Sequence, residues 1–138
     1  MAASEAIVSI AGPAMNMILA IVFLCIMCIL YKFAFPFCMS NIGSFVLITL
    51  EMASIVNIGQ GLFNLIPLPP LDGSKVLYNF LSYNAKTWFK EHEQLFYFIF
   101  LAIWISGVAG RIVSPLIDIV YSGLSWLVGW GLFRIPMF

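Results

Sequence analysis

Long uncharged apolar runs, separated by short polar breaks, dominate the chain. The first run, Ile7 to Tyr31, holds no charged residue over 25 positions. As a helix rising about 1.5 Å per residue it reaches roughly 37 Å, enough to cross a hydrocarbon core of about 30 Å with some tilt. Lys32 ends this run and Pro36 opposes its continuation. The second run, Phe45 to Ile66, is also long enough to span, but it carries Glu51, Asn57, Gln60 and Asn64. Lipid does not tolerate such groups, so they are expected to face protein or water. Pro67-Leu68-Pro69-Pro70-Leu71-Asp72-Gly73 follows and cannot be a helix interior, since each proline removes a donor and pushes the preceding residue to extended conformations. A short amphipathic stretch, Ser74 to Tyr83, leads into a polar hinge, Asn84 to Gln94. The last region, Leu95 to Leu132, is apolar except for Arg111 and Asp118. It fits either one long span with a surface helix or two short spans, with the natural break at Ser106 to Arg111. The predicted fold is an all-α integral membrane protein. It has three to four transmembrane helices, an extended proline-rich break before Asp72, and a single membrane domain over 1–138.

Composition sharpens this picture. Apolar residues make up 63% of the 138 positions and charged residues 9%. A soluble domain usually carries about a quarter charged residues, and six acidic and six basic side chains cannot solvate a globule of this size. The net charge of zero gives no reason to expect a nucleic-acid partner; membrane lipid is the expected surrounding. The N-terminus has no basic segment ahead of the apolar stretch, so no cleavable signal peptide is expected. Lys75, Lys86 and Lys90 outnumber the lone Lys32 of the other loop, which predicts a cytoplasmic 67–94 loop and a cytoplasmic N-terminus. Cys25 and Cys28 sit in an apolar run without a second pair, and read as packing residues rather than a redox or zinc site.

The candidate chemistry lies in Asn64-Leu65-Ile66-Pro67-Leu68-Pro69-Pro70-Leu71-Asp72-Gly73. It reads as a proline-stiffened, extended segment with a carboxylate at its end, where a span stops. Non-helical backbone at membrane depth is tolerated only inside protein or beside a wet cavity. A carboxylate there needs a partner or a metal, and Gly73 permits a sharp turn into the next helix. Two readings stand on residue physics: Asp72 as the polar centre of a site, or Asp72 as the N-cap of the helix that begins at Ser74.

Asn64-x-x-Pro67-x-Pro69-x-Leu71-Asp72-Gly73 resembles the signature of the site-2 protease family, the intramembrane zinc metalloproteases. Val8-Ser9-Ile10-Ala11-Gly12-Pro13-Ala14-Met15-Asn16 is similar to the Ala-Gly-Pro-x-x-Asn opening of another span in that family, in matching order and spacing. Asn57 also falls where short bacterial-type members carry an asparagine. The resemblance covers residues 6 to 80. It implies that Asp72 matches the third zinc ligand, beside two histidines of an H-E-x-x-H helix whose glutamate activates water. Asn64, Pro67, Pro69 and Gly73 would position the substrate backbone, and Gly12, Pro13 and Asn16 would be structural. The implied cofactor is zinc, and the implied partners are transmembrane protein substrates.

The sequence departs from that family in having no H-E-x-x-H. Its sole histidine is His92, followed by Glu93 and Gln94, with Phe96 where a second ligand would stand. A helical zinc pair needs both histidines one turn apart, so His92 reads as a juxtamembrane polar residue. The expectation is therefore a chain that contributes Asp72 only, lacks the first spans of the complete protein, and does not hold zinc stably alone. The alternatives are a non-catalytic membrane module that binds partner helices, and an unrelated channel or transporter subunit with a broken span. Gly59-Gln60-Gly61 lacks the third glycine and the strand context of a dinucleotide site. Trp88, Trp104, Trp126 and Trp130 suit interfacial or packing positions. Asp118 is expected to be satisfied by Arg111, seven residues earlier, or by water.

Overall fold

The computed structural model describes residues 2–69 and 71–135, with side chains from Val8 onward. Among them the secondary structure is entirely helical: α1 (Ala2–Phe33), α2 (Phe35–Cys38), α3 (Asn41–Asn64), α4 (Gly73–Phe80), α5 (Tyr83–Glu91), α6 (Glu93–Ile105) and α7 (Val108–Trp126). A π-helical segment, Leu127–Leu132, continues α7. Three segments are long and apolar enough to cross a membrane: Val8–Phe33, Asn41–Asn64 and Val108–Leu132. Helix α6 has 13 residues, about 20 Å of helix, and falls short of a crossing. Of the two arrangements open for 95–132, the chain takes one long span preceded by a shorter apolar helix. They join at Gly107, whose φ of 72° is left-handed backbone that glycine adopts without a Cβ clash.

Helices α1 and α3 form the central pair. Their buried positions recur at spacings of three, four and seven: Pro13, Ala20, Leu24 and Met27 on α1, and Gly43, Leu47, Ser54, Ile58 and Gly61 on α3. That spacing places one narrow stripe of each helix against the other, as in left-handed helix pairs. The connection between them is short. Pro36 sits in the first turn of α2, where its missing N–H costs nothing, and Ser40 caps α3 by accepting from the Gly43 amide at 3.0 Å. Lys32 Nζ lies 3.5 Å from the Phe133 carbonyl, so α1 and α7 end on the same side and α3 runs back between them. Leu24, Met27, Cys28, Cys38, Leu47 and Val128 form the buried cluster at that end.

The surface of the three long segments and of α6 is largely apolar: Val22, Ile48, Phe98 and Ile119, among others, are exposed, as a lipid-solvated bundle requires. Three polar side chains within α3 are satisfied locally. Thr49, Ser54 and Asn57 donate to carbonyls four residues back, at 2.8–2.9 Å. Glu51 accepts from the Tyr121 hydroxyl at 3.4 Å, a link from α3 to α7.

Three local expectations change. The break between α3 and α4 is real but folds into successive turns, with Leu68 N–H donating to Ile66 O and Leu71 N–H to Leu68 O. Pro70 lies outside the described residues. The polar hinge 84–94 is mostly helix α5, which Ser82 precedes in extended conformation. Asp118 and Arg111 are both exposed, and the ion pair expected between them is not formed; among the described residues only Lys75 and Asp72 make one.

Candidate functional site at the proline-rich break

The site is assembled where α3 ends, the chain turns, and α4 begins. Asn64 is the last residue of α3, and Leu65 and Ile66 close the helix through bonds to the Leu62 and Phe63 carbonyls. Pro69 and Leu71 are buried. Gly73 is buried too, and a Cβ there would lie 2.5 Å from both the Leu65 and Ile66 carbonyl oxygens. The start of α4 is thus pressed against the end of α3, a contact only glycine permits. This differs from the reason the sequence suggested: Gly73 has helical backbone, and the need is for close approach rather than for an unusual φ.

Asp72 stands between two buried residues, so its backbone is held while its side chain remains 40% exposed. Its carboxylate makes no capping bond to α4 and instead pairs with Lys75 Nζ at 2.8 Å. The buried Ser74 hydroxyl donates to the Leu71 carbonyl at 2.7 Å, which ties the turn from the other side. The N-cap reading of Asp72 therefore holds for its position but not for its side chain.

The two sequence motifs come together around this turn. A Cβ on Gly61 would lie 3.2 Å from the Pro13 carbonyl and 3.6 Å from Asn16 Cβ, so the Gly12–Asn16 segment crosses α3 one turn before Asn64. Pro13 is fully buried at this crossing. Further along, Ile10 of α1 shares a cleft of about 340 Å³ with Leu65, Pro67 and Gly73. Gly12 itself is exposed and has no neighbour within 4 Å of a Cβ position. On the other side, Leu68 and Leu71 line an apolar cavity of about 420 Å³ with α3, α6 and α7. Phe63 joins this wall to α6, with ring centroids 5.1 Å from Trp104 and 5.7 Å from Phe100.

His92 is placed elsewhere, at the α5–α6 junction. Its Nδ1 lies 2.8 Å from the Trp88 carbonyl and its ring stacks on Trp88 at 4.7 Å. Phe89 and Phe96 stack beside it, and Tyr78 of α4 meets Phe89 edge-on. Burial and the nearby Glu93 carboxylate push the Tyr78 phenol above its ordinary range. This aromatic joint was not foreseen; rings three and four residues to either side of His92 (Trp88, Phe89 and Phe96) were its signal. Among the described residues no three His, Cys, Asp or Glu side chains group as a metal site. The donor set at the turn is one carboxylate, already engaged by a lysine, and this does not fit a zinc ion, which takes three protein ligands even in open catalytic sites. The cysteines offer no substitute: Cys28 and Cys38 are buried in the apolar cluster at the far end of α1.

Comparison with known proteins bears on the same segment. No solved structure matches the chain. A Bacillus subtilis (strain 168) protein named "Putative zinc metalloprotease YwhC" is 26% identical over 115 residues, covering 81% of this chain and 51% of that protein. The chain thus spans about half the length of the curated relative it matches. The profile of Peptidase family M50 matches residues 39–107, from the connection before α3 through the proline-rich turn to the α6–α7 junction. With half of its length matched, the chain belongs to Peptidase family M50, the site-2 protease family of membrane metallopeptidases.

Proposed function

We infer that this chain forms the aspartate-bearing part of a zinc-dependent intramembrane peptidase, with Asp72 as one metal ligand and the histidine pair supplied from outside these 138 residues. The observation that carries this reading is the state of Asp72: backbone fixed between buried Leu71 and Gly73, carboxylate half-open and held only by a surface lysine. Such a group can exchange one cationic partner for another without unfolding the turn. Asn64, Pro67 and Pro69 shape the adjoining backbone, and the apolar cavity beside Leu68 and Leu71 suits side chains of a membrane-protein substrate. Zinc, when bound in the complete site, would supply an activated water. The lysine count favours a cytoplasmic position for the 67–94 loop.

The test joins the chain to an H-E-x-x-H-bearing membrane segment of an M50 relative. The expected result is no zinc on the 138-residue chain after chelator washing, about one zinc per joined protein, and loss of zinc and of peptide cleavage in Asp72→Ala. Tight zinc on the chain alone, or cleavage that survives Asp72→Ala, overturns the assignment. A second reading, a non-catalytic scaffold that binds partner helices, draws on the donor count around Asp72. It is favoured if the joined protein binds no zinc.

A further inference from the structure

The two carboxylates within the membrane spans are treated differently. Glu51 of α3 receives the Tyr121 hydroxyl of α7. Asp118, less than one turn before Tyr121, is exposed on the shoulder of α7. Among the described residues its side chain makes no ion pair or hydrogen bond, and neither does that of Arg111. Asp118 lies ten residues after Val108 and fourteen before Leu132, about 15 and 21 Å along the helix axis. It is therefore near mid-membrane. Arg111 is three residues into the span and long enough to reach the interface, whereas aspartate is too short to do so. One turn to either side of Asp118 on the same face of α7, Ser114 and Ser122 are exposed too, small side chains that leave room for a second helix but do not neutralise a carboxylate.

A charged group at that depth is costly unless a neighbour satisfies it. A second copy of the chain is a poor neighbour. Two copies inserted in the same orientation pair about an axis along the membrane normal, which sets Asp118 against Asp118 and Arg111 against Arg111. The complementary surface is a basic one.

We propose that the Arg111–Asp118 face of α7 docks a further transmembrane helix that presents a lysine or arginine to Asp118 at mid-membrane depth. The proposal does not depend on the zinc assignment, because Asp72 lies on another element.

The test reconstitutes the chain, fluorescently labelled at its N-terminus, in phosphatidylcholine vesicles. The probes are two labelled oligoleucine peptides of about twenty residues, one uniform and one with a single central lysine. Energy transfer reports association. The expected result is at least ten-fold tighter association of the lysine peptide, reduced to the level of the uniform peptide in Asp118→Leu and unchanged in Ile119→Leu. Equal association of both peptides with the unsubstituted chain overturns the proposal, and this arm needs no variant to fold. Lysine-peptide binding that persists in Asp118→Leu also overturns it. So does transfer between differently labelled copies of the chain that depends on Asp118 while the peptides are not distinguished.

Discussion

The two ends of the α1–α3 pair are built on opposite plans. At the end where α1 finishes, large side chains from four elements interlock. Leu24, Met27 and Cys28 meet Cys38, Leu47 and Val128, and Gly43 is pressed onto the Phe37 carbonyl with no room for a Cβ. At the other end the helices meet through small or stiff residues, Pro13 and Gly61, and the chain leaves α3 in a run of turns. Beyond those turns α5 and α6 contain no buried residue, and an apolar cavity of about 420 Å³ remains between α6, α7 and the turn. Packing that leaves no space carries stability; space, turns and a half-open carboxylate leave room for the chemistry proposed for Asp72. Without a hydrophobic drive between helices in lipid, association depends on close fit. A bundle can therefore be loose at one end only if it is tight at the other.

The largest effect expected from this contrast is at the tight end. Leu24→Ala removes a side chain that is 1% exposed and leaves a cavity, at a cost of about 2–5 kcal/mol. Ile99→Ala on α6 removes one that is 44% exposed and is expected to cost about 1 kcal/mol or less. Unfolding in detergent micelles, followed by circular dichroism, compares the two. Equal losses would mean that α6 is as integral as α1 and that the loose end is not loose.

The next effect locates the one rigid point within the loose end. Gly73→Ala forces a Cβ onto two backbone carbonyls and is expected to destabilise by about 1–3 kcal/mol. Gly12→Ala, with nothing near its Cβ, is expected to be neutral or to stabilise α1 by up to about 1 kcal/mol. The same melting experiment reads both. If the order reverses, the turn is not clamped to α3 and Asp72 is not positioned by its neighbours.

Much of the fold was legible because lipid imposes a length on apolar helices and proline imposes an end. Ile7–Tyr31 and Phe45–Ile66 lie within α1 and near the bounds of α3, and the break expected between Ser106 and Arg111 fell at Gly107. The family was legible in the ten residues from Asn64 to Gly73, which lie within the stretch its profile matches. What could not be read was which atoms meet across distance. Glu51 and Tyr121 are 70 residues apart, and neither sequence neighbourhood names the other. The helical period placed Arg111 and Asp118 on one face, yet could not say whether they reach each other; seven residues set them about 10 Å apart, too far for a ready pair. The polar 84–94 stretch read as a hinge because charges obscured an aromatic spacing, Trp88, Phe89, His92 and Phe96, that packs only once α4 and α6 are in place.

A smaller effect tests whether the loose flank is also mobile. Gly107 is the left-handed link between α6 and α7. Gly107→Ala is expected to cost about 1 kcal/mol through backbone strain alone, since nothing lies near its Cβ position. Amide hydrogen exchange should show the loss as faster exchange in α6 and little change in α1 and α3. Faster exchange throughout the bundle would show that α6 unfolds together with the core.

The smallest expected effect concerns Lys75 and decides how available Asp72 is. The pair is a close one, at 2.8 Å between residues three apart, but its side chains are 57% and 40% exposed. Ion pairs that open to solvent are worth about 0–1 kcal/mol, and those within one helical turn less than about 0.5. Lys75→Ala is therefore expected to shift stability by less than about 0.5 kcal/mol, and raising the salt concentration should mimic it. Thermal unfolding at low and high ionic strength measures both. The near-absence of an effect is the informative outcome, since a lysine that contributes little can leave Asp72 at little cost, and the turn stays in place because Leu71, Gly73 and Ser74 hold it. A loss of 2 kcal/mol or more, of the size seen when a partner of a buried pair is removed, would make Lys75 a structural lock. The carboxylate would then belong to the tight part of the molecule, and the contrast between its two ends would have to be redrawn around it.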